Sequence, residues 1–186
     1  MLATSHTQAY RKDLGINNLP VADVVETSVR IREIREGDVP LIREMHERLS
    51  GESVYYRYLG SNKPSFEDIH RLSTFNGNDG LVLVAVIHGN PDKVVGIAYY
   101  QRDANDSTTA EPAILIEDQY QGCGLGKKMI KELIRLALLN GVETFETFIH
   151  SANYRMLKMI KCSGLSFESR YREGLKEVRV WLNPVN

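Results

Sequence analysis

The segment Gln121-Gly122-Cys123-Gly124-Leu125-Gly126-Lys127-Lys128 constrains the fold more than any other. It follows the apolar run Ala113-Ile114-Leu115-Ile116 and opens a stretch in which Leu125, Met129, Leu133 and Ala137 recur every four residues. The order is therefore buried strand, glycine turn, amphipathic helix. Glycines let a backbone approach a ligand closely and point successive N–H groups outward. The start of the helix adds about half a positive charge. Together they form a seat for an anion such as a pyrophosphate.

Three glycine motifs compete for this seat. A nucleotide-hydrolysing P-loop needs a glycine, four intervening residues, then Gly-Lys-Ser/Thr. Here Gln121 replaces that glycine and Lys128 the hydroxyl residue, so triphosphate hydrolysis is disfavoured. A dinucleotide fold needs Gly-x-Gly-x-x-Gly in an opening βαβ unit, whereas this chain has Gly-x-Gly-x-Gly late in its length. The third pattern is Gln/Arg-x-x-Gly-x-Gly, matched by Gln121, Gly124 and Gly126.

The rest of the chain supplies the context. Residues 1–27 lack a period and read as an N-terminal extension; residues 28–186 form the domain. Val29 and Ile31 alternate with Arg30 and Arg32 as a half-buried strand. Asp38 is placed to cap a helix with Pro40 in its first turn. Ser50–Gly60 and the segment after Ser65 read as two more helices. Leu81–His88 and Val94–Arg102 form a hairpin, and Thr109–Glu117 is the next strand. Beyond the glycine turn come a helix to Leu139, a strand over Val142–His150 and a helix stopped by Gly164. Strands over Leu165–Arg172 and Glu177–Leu182 close the chain. This order predicts an α/β (α+β) mixed, mostly antiparallel sheet with helices on its faces.

With the turn and this element order in place, the chain resembles the GNAT superfamily of N-acetyltransferases. The resemblance covers about residues 28–182. It implies helices on both faces of the sheet and a splayed strand pair that receives acetyl-CoA as cosubstrate. It also implies direct acetyl transfer to an amine, without a metal. On the residues here, cofactor contacts fall to Leu115 and Ile116 on the splayed strand, to Gln121, Gly122, Cys123, Gly124, Leu125, Gly126 and Lys127 in the turn, and to Asn153. Gly164-Leu165 stands where the family usually has Gly-Phe, and Ile160 where many relatives carry a tyrosine acid.

An amine attacks as its neutral base, so some group must take a proton. Glu111 is the first candidate. It lies five residues before Ile116, roughly 17 Å along a strand, a suitable distance between the cofactor and acceptor ends. Glu52 is the second candidate for the base, and with Tyr55 and Tyr56 it is a candidate for the acceptor wall, core packing being the alternative role for the tyrosines.

A finer similarity is to Pat-type bacterial protein lysine acetyltransferases. It rests on Arg32–Asp38, Leu49–Leu59, Ala110-Glu111 and Asp118–Gly122. It implies that Glu111 is the base and that the acceptor is a protein lysine, as in acyl-CoA synthetases. Two rival functions remain at this point: acetylation of a small polyamine or aminoglycoside, and a non-catalytic CoA-sensing module. Residues 1–27 are too few for an added cyclic-nucleotide domain.

Composition narrows the partners. The 23 basic and 24 acidic residues give a net charge of −1, which argues against nucleic-acid binding by bulk charge. Two cysteines, outside any metal-ligand spacing, fit a reducing cytoplasm. The five histidines show no metal spacing, and neither a signal peptide nor a membrane span is expected.

Overall fold

The computed structural model describes residues 28–89 and 91–183; the expected extension over residues 1–27 lies outside them. Seven strands form one sheet: β1 (Val29–Glu33), β2 (Gly80–Ile87), β3 (Lys93–Arg102), β4 (Thr109–Ile116), β5 (Thr144–His150), β6 (Phe167–Arg172) and β7 (Leu175–Trp181). Their spatial order is β1-β2-β3-β4-β5-β7-β6. Every neighbouring pair is antiparallel except β4 and β5, which are parallel. Parallel neighbours need a crossover, and the glycine turn with its helix supplies it. The helices are α1 (Val39–Glu47), α2 (Gly51–Tyr58), α3 (Phe66–Ser73), α4 (Leu125–Leu139) and α5 (Tyr154–Lys161).

The alternation along β2 sorts the core into two layers. Leu81, Leu83, Ala85 and Ile87 face α4, whose Leu125, Met129, Leu133 and Ala137 are all buried against them. Val82, Val84 and Val86 face the other way, onto Ile42, Met45 and Leu49 near α1, Val54 of α2 and Ile69 of α3. A period of two in the strands and of about four in the helices yields this three-layer arrangement. Gly96 of β3 is required by it. A Cβ there would come within 2.8 Å of Ile116 Cδ1 and 3.0 Å of Met129 Sδ.

Several local expectations shift. Asp38 precedes α1 but does not cap it. Its carboxylate takes Arg32 Nη1 and Nη2 at 2.6 and 2.7 Å and the Arg35 N–H at 2.7 Å. Burial pushes this carboxyl up, yet those hydrogen bonds outweigh it and hold Asp38 below its ordinary value. Ser50 and Ser65 do cap α2 and α3. β5 starts at Thr144, because the Val142 N–H is still closing α4 on Ala137 O. The first of the closing strands starts at Phe167, two residues after the expected Leu165.

Candidate active site

β4 and β5 pair only at Thr109–Thr144 and Ala110–Phe145, and then part. The splay expected of the fold is therefore present, and strand alternation settles which groups line it. Glu117 N–H bonds to Val95 O at 2.9 Å, so the odd residues of β4 carry the β3 ladder. The backbone groups of Ile114 and Ile116 face the opening; those of Leu115 are spent on β3. Leu115 thus contributes its side chain, on the α1–α3 face, rather than a free amide. Pro112 has no N–H to lose at a position that faces the splay.

The Val95 carbonyl that holds Glu117 owes its position to a bulge. Ala85 pairs with Gly96 and Val86 with Val94, leaving Val95 as the extra residue. Glu117 itself is a buried junction at the end of β4. Its carboxylate takes Arg48 Nε and Lys93 Nζ at 3.0 Å each and the Gln119 amide. The end of β4 is thereby tied to the end of α1 and the start of β3.

The glycine turn follows. Gly122 and Gly124 sit at φ +76° and +88°, the left-handed region that favours glycine. Alternating such residues with Cys123 turns the main-chain N–H groups outward. From Gly122 to Lys127 no described group accepts them, and the first helical bond is Lys128 N–H to Gly124 O. Six consecutive donors at the start of a fifteen-residue helix fit an anionic diphosphate. The Leu125 side chain is buried in the core, so only its amide serves the turn. Cys123 is a satisfied loop thiol, its Sγ donating to Tyr120 O. Gly126 has φ outside the left-handed region and faces β4. A Cβ there would meet Ile114 Cδ1 and Ile116 Cγ1 at 3.8 Å.

Side chains clamp this turn to two helices. Gln121 Nε2 donates to Ile116 O at 2.9 Å and Ser53 Oγ at 3.0 Å, while its Oε1 accepts from Arg155. The Ile116 carbonyl is therefore taken, and its N–H is the group left for a ligand. Asp118 accepts from Ser50 N–H at 2.9 Å, Ser50 Oγ at 2.6 Å and Ser53 Oγ at 2.8 Å. Partial burial raises the Asp118 carboxyl, but these bonds outweigh it and leave it below its ordinary value. The N-terminus of α2 and the turn are thus bonded to each other. Asn153 caps α5 through Oδ1, which accepts the Met156 N–H at 3.1 Å.

The candidate acceptor residues separate. Glu111 is exposed on the α1–α3 face, opposite Gln101 of β3. Glu52 is exposed in the first turn of α2, and no hydrogen bond or ion pair joins it to Glu111. Tyr55 and Tyr56 lie across the splay from β4: their rings pack on His150 at 5.4 and 5.8 Å, and Tyr56 Oη donates to Ala152 O at 3.4 Å.

A cavity of about 260 Å³ lies between α2, α3 and strands β3 and β4. His46, Arg57, Tyr58, Tyr99, Gln101 and Leu115 line it, and apart from Leu115 the sequence pattern did not single them out. His46 is buried with both ring nitrogens engaged, Nδ1 on Ile42 O at 2.8 Å and Nε2 on Tyr58 Oη at 2.7 Å. With Nδ1–H donating to the carbonyl, Nε2 accepts from the phenol. Burial is the main reason the His46 pKa lies below its ordinary value, and burial pushes Tyr58 up to about 12. Only tertiary structure joins these positions, which lie twelve residues apart on two helices. Among the described residues, no group of three His, Cys, Asp or Glu side chains is placed to hold a metal, and no helix is long and apolar enough to cross a membrane.

Residues 43–164 match the acetyltransferase (GNAT) family. The chain belongs to the GNAT family and is an acyltransferase. It is 31% identical over 143 residues to Acetyltransferase PA5475 of Pseudomonas aeruginosa, a match covering 75% of this chain and 74% of that protein. It is 28% identical over 130 residues to Acetyltransferase Pat of Mycolicibacterium smegmatis, covering 70% of this chain but 39% of the larger protein. The GNAT domain of S. lividans PAT superposes with a TM-score of 0.73 at 25% identity, over 81% of this chain and 89% of that one. The GNAT fold accounts for the splay, the glycine turn and the helix behind it.

Proposed function

We propose that this GNAT protein transfers acetyl directly from acetyl-CoA to the side-chain amine of a protein lysine, an acyl-CoA synthetase being the type of target, in the cytoplasm. The observation that carries the reading is the row of six unengaged amides, Gly122 to Lys127, beside the β4–β5 splay. Those amides would hold the diphosphate, and the Ile116 N–H would face the pantetheine arm or the thioester oxygen. Lys127 at the mouth of the turn adds charge, and Asn153 at the start of α5 borders the same opening. The protein acceptor is supported by the likeness to the two Pat proteins and by the exposure of Glu111, which leaves room for a macromolecule.

Glu111 acts as the general base. The lysine nitrogen attacks the thioester carbonyl carbon, its proton passes to Glu111 directly or through water, and CoA leaves as the thiolate. A thiolate with pKa near ~8.5 departs without a strong acid, so Ile160 at the usual tyrosine position does not block the reaction. Glu52, Tyr55 and Tyr56 form the wall that meets the acceptor.

The test is Glu111→Gln. Thiol release with a lysine protein substrate is expected to fall roughly 10²- to 10⁴-fold in kcat, the range for general acid–base groups. Calorimetric acetyl-CoA binding is expected to stay as in the parent protein. Unchanged turnover would remove Glu111 as base; absence of acetyl-CoA binding by the parent protein would remove the whole reading.

A further inference from the structure

The cavity beside Leu115 carries a charge arrangement that the transfer chemistry does not use. Arg57, Lys63 and Arg71 line it, against one carboxylate, Asp68. That carboxylate is already engaged by Ser65 N–H and Oγ and lies 3.7 Å from Arg71. Lys63 pairs outside the lining with Glu47 at 3.4 Å. His46 is held neutral by burial and has both nitrogens satisfied. Arg57 differs from the other two cations: no described carboxylate lies within ion-pair distance of it. Its guanidinium lies 5.0 Å from the Tyr58 ring centroid and 5.3 Å from that of Tyr99, and Nη2 donates to Tyr99 Oη. A guanidinium has five N–H donors in a rigid fork. Here two aromatic rings flank it, while most of its donors have no acceptor among the described residues.

We propose that Arg57 binds a carboxylate carried by the acceptor, so that the enzyme prefers lysines with an aspartate or glutamate next to them. The inference rests on the protein-lysine reading and deepens it. Gln101, on the cavity wall, is the register partner of Glu111, so the carboxylate seat and the proposed base share one end of the site. The same three cations disfavour a polyamine, whose charges they would repel. They also favour the neutral form of an amine brought among them, which is the form that attacks.

The test uses the full chain, acetyl-CoA and short peptides with one lysine flanked by aspartate, alanine or lysine, with thiol release as the readout. The aspartate peptide is expected to exceed the alanine peptide roughly tenfold in kcat/KM, mostly through KM, as one charge-assisted bidentate contact allows. The excess should shrink as salt rises. Arg57→Gln should bring the ratio to about one, and Arg57→Lys should restore part of it. The acetyl-CoA KM and thermal midpoint of each variant establish that it is folded. Equal use of the aspartate and alanine peptides, or a preference that survives Arg57→Gln, overturns the inference while leaving lysine acetylation standing. If only amino-acid-sized amines bearing a carboxylate are used, and Arg57→Gln abolishes that use, the carboxylate seat stands and the protein acceptor falls. Turnover confined to polyamines overturns both.

Discussion

Replacing Glu117 by glutamine keeps the shape of a buried side chain and removes its charge. The Glu117 side chain is 4% exposed, that of Lys93 11% and that of Arg48 28%. Breaking a buried ion pair by removing one partner costs about 3–5 kcal/mol, because the other charge is left without compensation. Arg48 is partly in water and keeps its bond to Val94 O at 2.8 Å, which places the cost at the low end, about 3 kcal/mol. For a chain of this size 1 kcal/mol moves the midpoint by roughly 2–4 °C, so thermal unfolding is expected to drop by roughly 6–12 °C. Glu117 directly follows Ile116, so the KM for acetyl-CoA should rise as well. Paired Glu117→Leu and Lys93→Met substitutions should recover part of the loss, giving a coupling of at least ~1 kcal/mol in a double-mutant cycle. A Glu117→Gln protein within about 1 kcal/mol of the parent by urea unfolding would refute the idea that this carboxylate anchors the end of β4.

Two glycines of the turn, Gly124 and Gly126, should behave oppositely. Gly124→Ala forces a side chain into φ +88° and is expected to cost about 1–2 kcal/mol and to weaken acetyl-CoA binding in calorimetry. Gly126→Ala adds a methyl with room at 3.8 Å inside a helix, and urea unfolding should find it as stable as the parent or more so. His46 gives a pH signature. Its folded pKa lies below the unfolded value near 6.5, so below that pH the unfolded chain takes up the proton first. The stability from neutral His46 is full above pH 6.5. It declines as pH falls from 6.5 toward the folded value, by up to ~1.4 kcal/mol per pH unit. His46→Gln should flatten that slope in urea melts taken across the window; an unchanged slope would show that His46 is not its source.

Much of the fold was legible because the relevant signals are periodic or local. Leu125, Met129, Leu133 and Ala137 announced α4 and its buried face; Ser65 announced the start of α3; the glycines of 122–126 announced a turn. Boundaries slipped where a neighbour intervened, as when the Val142 amide closed α4 and delayed β5. Of the candidate site, the glycine turn was legible and its side-chain supports were not. Gln121 read as part of a turn motif, but its clamping of Ser53, Ile116 and Arg155 depends on three segments converging. Asp38 read as a cap, but its carboxylate turns back to Arg32 of the preceding strand β1 and to the Arg35 N–H.

The amino-acid sequence by itself determined the order of elements and the place of the glycine turn, because hydrophobic period, capping and glycine conformation act over a few residues. Tertiary structure alone decided the burial of Glu117 between Arg48 and Lys93, the bulge at Val95, the spending of the Leu115 backbone on β3 and the cavity that gathers His46, Arg57, Tyr58 and Tyr99. Those features depend on which groups meet across tens of residues. The balance between desolvation and pairing that governs them has no local trace in the chain.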